Sequence, residues 1–133
     1  MKFIKKLVLF SIVSFAFVTF NVMAATITFL GIQFGGISGY STGVRQKTIN
    51  NQIPQRMETL RADHRINARL YHRVGSASQL ISTITIEPRN STTWLNQNFS
   101  NNSRFIGDYN INLRKSSLIG NTRYWGIWVY DPF

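Results

Sequence analysis

The sequence predicts an all-β fold, a small antiparallel β-sandwich or barrel of six to eight strands, behind a cleaved N-terminal signal peptide. Three observations carry this expectation. The first 24 residues have the layout of an export signal. After them come short alternating apolar and polar runs, separated by Gly, Ser and Asn clusters, as in all-β domains. The chain also has no Cys in 133 residues, so packing alone must hold an exported fold together.

The export signal is read residue by residue. Met1 to Lys6 is a basic head with Lys2, Lys5 and Lys6, and Leu7 to Phe20 is apolar apart from Ser11, Ser14 and Thr19. Val22-Met23-Ala24 supplies the small-residue exit, with cleavage after Ala24 or Ala25. The rival is a retained anchor, but a bilayer span needs about 20 apolar residues and this run is shorter. Residues 25–133 then form one domain. The lysine-headed signal and absent disulfides point to a bacterial, Gram-positive source and an extracellular protein.

The whole chain carries a net charge of +10. Without the three lysines of the leader, twelve cations face five acids, a net charge of about +7. Such a balance favours anionic partners. The expected ones are a cell-wall polymer such as teichoic acid or a phospholipid surface, with nucleic acid disfavoured. The competing reading is charge that merely keeps a small exported protein soluble.

Along the chain, Thr26 to Phe34 reads as the first strand, with Leu30, Ile32 and Phe34 on one face. Gly35-Gly36 and Ser38-Gly39 break it, Tyr40 to Lys47 is a strand or a loop, and residues 48–56 form a connector. Residues 57–74 are ambiguous. From Arg65 onward Ile66, Ala68, Leu70, His72 and Val74 alternate with Arg65, Asn67, Arg69, Tyr71 and Arg73, the period of a half-buried strand. Arg61, Arg65, Arg69 and Arg73 are also four apart, which a helix would align. A strand from 65 is favoured, preceded by a helical turn around Arg56 to Leu60. Gly75 to Ser78 turns the chain into Gln79 to Ile86, completing a hairpin that ends before Pro88. Asn90 to Asn102 reads as a polar loop carrying Trp94 and Leu95. Phe105, Tyr109, Ile111 and Leu113 mark another strand face, Ser116 to Asn121 is a turn, and Tyr124 to Tyr130 is an aromatic strand stopped by Asp131-Pro132.

Chemistry is sparsely signalled. The only histidines, His64 and His72, would lie ~26 Å apart in a strand or ~12 Å apart in a helix, too far to share a metal ion. No metal site, no cofactor and no catalytic residue is assigned. The least implausible enzyme is a small ribonuclease using Glu87 as base, His72 as acid and Arg69 and Arg73 as anion clamps. The stronger feature is an arginine face of Arg65, Arg69 and Arg73 with Tyr71 between them. Guanidinium forks bind phosphate or carboxylate, and Tyr adds a stacking surface. Arg104, Arg114, Lys115 and Arg123 would extend it from neighbouring strands, unless the whole is a solvated sheet face. In the last strand Tyr124, Trp128 and Tyr130 alternate with Trp125, Ile127 and Val129. That strand is either buried on both sides or an edge whose outer aromatics touch lipid, glycan or another chain. The candidate binding set is therefore Arg65, Arg69, Tyr71, Arg73, Arg114, Arg123 and Trp125.

Several spacings carry a resemblance. Phe29-x-x-x-Gln33-Phe34 is followed by Tyr40-x-x-x-x-Arg45-x-Lys47, then Tyr109-Asn-Ile-Asn-Leu113-Arg114, and finally Gly126-x-Trp128 with Asp131 close behind. In these the chain resembles a family of small secreted Gram-positive proteins of unknown function. That family closes on Trp-Ser-Pro-Asp, where this chain has Trp128-Val-Tyr-Asp131. The chain is also similar in type to lactococcin-like bacteriocins, being basic, cysteine-free and aromatic-ended. The expectation is a secreted, cationic, non-enzymatic protein at an anionic cell-envelope surface. A bacteriocin or toxin-like protein is the alternative, and a secreted ribonuclease or other hydrolase the next.

Overall fold

From Ile66 the side chains alternate as the sequence predicts. Ile66, Ala68 and Leu70 are fully buried, while Asn67, Arg69, Tyr71 and Arg73 are half-exposed on the other side. The computed structural model describes residues 25–132. The expected signal peptide, residues 1–24, lies outside them. Among the described residues nine strands run in chain order, more than the six to eight expected: β1 (Ala25–Gly35), β2 (Tyr40–Ser41), β3 (Arg45–Lys47), β4 (Arg56–Ala62), β5 (Ile66–Val74), β6 (Ala77–Ile86), β7 (Arg89–Asn98), β8 (Gly107–Lys115) and β9 (Asn121–Asp131). A 3₁₀ turn, Asn101–Arg104, precedes β8.

The strands form an antiparallel β-sandwich that does not close into a barrel. The first sheet has the order β1-β9-β4-β7, and the second β2-β8-β5-β6 with β3 also paired to β8. Only β5 and β6 follow one another within a sheet through a tight hairpin, turned at Gly75 with φ 61°. Connections such as β4 to β5, β6 to β7, β7 to β8 and β8 to β9 carry the chain across to the opposite sheet. Phe29, Met57, Tyr124 and Trp128 from the first sheet meet Leu70, Ile84, Ile111 and Leu113 from the second.

Four expectations are corrected. Arg56 to Leu60 is strand, because β4 pairs on both sides, with β7 and β9, and buries Met57 and Thr59. The segment from Asn90 is largely strand β7, an edge of the first sheet whose Asn, Ser and Thr side chains lie mostly exposed and so leave no apolar signal. Leu30 is 80% exposed and does not share a face with Ile32 and Phe34. A bulge at Gly31, with φ 66°, shifts the register and turns Leu30 outward. Phe105 precedes β8 and is exposed, so the buried face there is Tyr109, Ile111 and Leu113.

Gln55, Thr59 and Ser103, buried in the sandwich, find hydrogen-bond partners. Trp128 donates from Nε1 to Gln55 Oε1 at 3.0 Å, and Gln55 in turn donates to Ser103. The Tyr124 hydroxyl shares a 2.8 Å hydrogen bond with Thr59. Tyr124→Phe strands that Thr59 hydroxyl, so denaturant unfolding should show a loss of about 1–2 kcal/mol. Burial pushes the Tyr124 hydroxyl up to about 12, although the Thr59 bond works slightly the other way. The unfolded chain therefore releases this proton first, near pH ~10, and stability falls between there and about 12. The Phe variant should lose less over that window.

Candidate functional site

On β5 the outward positions are Asn67, Arg69, Tyr71 and Arg73. Antiparallel pairing sets Arg114, Asn112, Asn110 and Asp108 of β8 beside them in that order. On the other flank β6 supplies Thr85, Thr83, Leu80 and Ser78. The outer face of the second sheet is thus a polar surface crossed by three arginines and one tyrosine. Arg114 Nε donates to Asn112 Oδ1 at 2.9 Å, and Asn112 Nδ2 donates to Ser41 Oγ of β2 at 2.9 Å. Arg73 is steadied by a 2.9 Å bond from Nη1 to Ser78 Oγ.

Between these side chains lies a shallow groove of about 230 Å³ lined by Ser41, Tyr71, Ser78, Asn110, Asn112 and Arg114. Asn110 Oδ1 is buried there without a protein donor.

The electrostatics of the face follow from where the acids are used. Among the described residues Glu58 pairs with Arg56, Asp63 with Arg61, Glu87 with Arg65, and Asp131 with Lys47. Only Asp108 makes no ion pair. Arg69, Arg73 and Arg114 likewise make no ion pair among the described residues, and with Asp108 beside Arg73 the face carries three cations against one acid.

No family model and no curated protein matches the chain. The functional reading rests on this geometry.

The expected binding set divides. Arg69, Tyr71, Arg73 and Arg114 share the outer face of the second sheet. Arg65 stands at its end, just before β5, with its guanidinium 3.0 Å from Glu87. Arg123 and Trp125 do not extend the face. They lie on β9, on the outer side of the first sheet, because the turn after β8 crosses the sandwich. Trp125 is also engaged: Arg61 lies 4.3 Å over its ring, and Gly31 packs against the indole where a Cβ would crowd it. Arg104 leans on Phe105 and Lys115 donates to the Ile119 carbonyl, so neither belongs to the arginine row.

The ribonuclease constellation is not assembled either. His72 stacks on Tyr109 at 4.8 Å, on the opposite side of β5 from Arg69 and Arg73. Glu87 sits beside Arg65, about 20 Å away along the strand at ~3.3 Å per residue. Among the described residues no three His, Cys, Asp or Glu side chains gather around a common point. Sequence reasoning missed Ser41, Asn110 and Asn112. The last two were signalled as the polar alternates of Tyr109, Ile111 and Leu113.

Proposed function

We propose that this is a secreted, non-enzymatic protein that binds an anionic, hydroxyl-rich polymer of the cell envelope through the outer face of its second sheet. The observation that carries this reading is the row of Arg69, Arg73 and Arg114 around Tyr71, three cations outside any ion pair with only Asp108 beside them. Guanidinium forks suit phosphate or carboxylate groups, and a sheet holds them in place so that little order is lost on binding. Ser41, Asn110 and Asn112 give the groove between them a polar lining that suits hydroxyl groups. Together they favour a polyol or sugar phosphate such as teichoic acid over a bare anion. Export is supported by the leader pattern of residues 1–24.

The test is retention of the purified protein on immobilised teichoic acid across a salt gradient. Screening shortens from about 30 Å at 0.01 M to about 10 Å at 0.1 M, so apparent affinity should fall roughly tenfold or more over that range. Absence of retention at the lowest salt would overturn the reading.

A further inference from the structure

Four connections meet at the end of the sandwich where β1, β4, β6 and β8 finish. Two of them carry large aliphatic side chains outward: Ile37 is 75% exposed, Leu118 69% and Ile119 84%. These two loops touch, since Gly36 leaves no room for a Cβ against the Ser117 carbonyl, and Ile37 and Leu118 line one hollow of about 290 Å³. Beside it opens a larger hollow of about 410 Å³, lined by Asp63, His64, Arg65, Pro88, Lys115, Ser116 and Ser117, with the Asp63 carboxylate held by Arg61. Lys115 donates from Nζ to the Ile119 carbonyl, which ties the cation to the apolar loop. The charged groups around this end are Arg61, Arg65, Arg89, Lys115 and Arg123 against Asp63 and Glu87, which are held by Arg61 and Arg65.

Three large aliphatics clustered on adjoining loops and rimmed by excess cations are costly in water. At an anionic bilayer they are favourable, because apolar tips enter the boundary between headgroups and acyl chains while cations meet lipid phosphates. We infer that this end of the sandwich is a bilayer contact, with Ile37, Leu118 and Ile119 inserting and the hollow of His64, Arg65 and Lys115 receiving an anionic phospholipid headgroup. The contact adjoins the arginine face at Arg114, which packs against the β1–β2 loop at Gly39, but it does not depend on the polymer reading.

The described residues, 25–132, form the sandwich, so the chain from Ala25 onward serves as the probe and leaves out the expected apolar leader. Because it has no Cys, a single Leu118→Cys carries an environment-sensitive fluorophore, with Ser76→Cys in the β5–β6 turn at the opposite end as control. Phosphatidylglycerol vesicles should shift the emission of the label at 118 to the blue and leave the label at 76 unchanged, and phosphatidylcholine vesicles should move neither. In co-sedimentation, Lys115→Gln should weaken binding roughly fivefold. Leu118→Ser/Ile119→Ser should abolish it with the thermal unfolding midpoint preserved. Arg69→Gln/Arg73→Gln should weaken vesicle binding by no more than a few-fold through the lower overall charge, even where teichoic acid retention fails. Equal response of both labels, full binding by the loop variant, or no sedimentation of the unmodified chain with phosphatidylglycerol would each overturn the inference.

Discussion

Asp131→Ala is expected to lower the unfolding free energy by about 3–5 kcal/mol, the usual cost of leaving a buried charge without its partner. Lys47 is wholly buried, and its ammonium lies 3.6 Å from the Asp131 carboxylate. The same carboxylate accepts the amides of Thr48 and Ile49 at 3.0 and 3.1 Å and the Thr48 hydroxyl at 2.9 Å, tying the end of β9 to the segment after β3. Lys47→Met/Asp131→Asn should recover part of the loss, since no charge remains buried and the amide oxygen still accepts a bond. Burial alone would raise the Asp131 carboxyl, but the Thr48 and Ile49 donors and the Lys47 charge hold it below its ordinary value. Its contribution is therefore complete above about pH 4 and disappears as the pH falls through the folded-state value. Acid denaturation of Asp131→Asn should lack that part of the slope. Lys47 acts in the opposite sense. Burial lowers its ammonium despite Asp131, so the strain of holding it charged eases as the pH rises toward ~10.4.

The second large effect is on binding. Arg69→Gln/Arg73→Gln/Arg114→Gln is expected to weaken teichoic acid binding roughly a hundredfold, taking about 1 kcal/mol for each exposed charge contact. Stability should change little, since these side chains lie on the solvent side of the sheet. Their neutral hydrogen bonds, to Ser78 and Asn112, are peripheral to the core.

The strands that border the core on both sides of the hairpin were legible because each writes its burial as a period of two. Ile66, Ala68 and Leu70 on β5 and Tyr109, Ile111 and Leu113 on β8 are such cases, as are Tyr124 and Trp128 on β9. Strand β7 was not legible, because an edge strand with both faces largely wet needs no apolar alternation. The start of β4, expected as a helical turn at Arg56 to Leu60, is strand because its pairing partners, β7 and β9, are distant in sequence. Period-two patterning reports which face a residue occupies but not which sheet. Arg114 and Arg123 look alike in the sequence and end on opposite sides of the molecule. The Lys47–Asp131 pair and the meeting of Ile37 with Leu118 arise only when the two sheets stack.

The most direct measurement of the central claim compares two variants of identical net charge in a teichoic acid binding titration. One is Arg69→Gln/Arg73→Gln/Arg114→Gln, which empties the arginine face. The other is Arg45→Gln/Arg104→Gln/Arg123→Gln, which removes three charges that lie outside the groove. The account predicts that the first loses binding roughly a hundredfold and the second only a few-fold through the weaker overall field. Equal losses in the two would show that net charge alone drives the attraction, and would contradict a site on the second sheet.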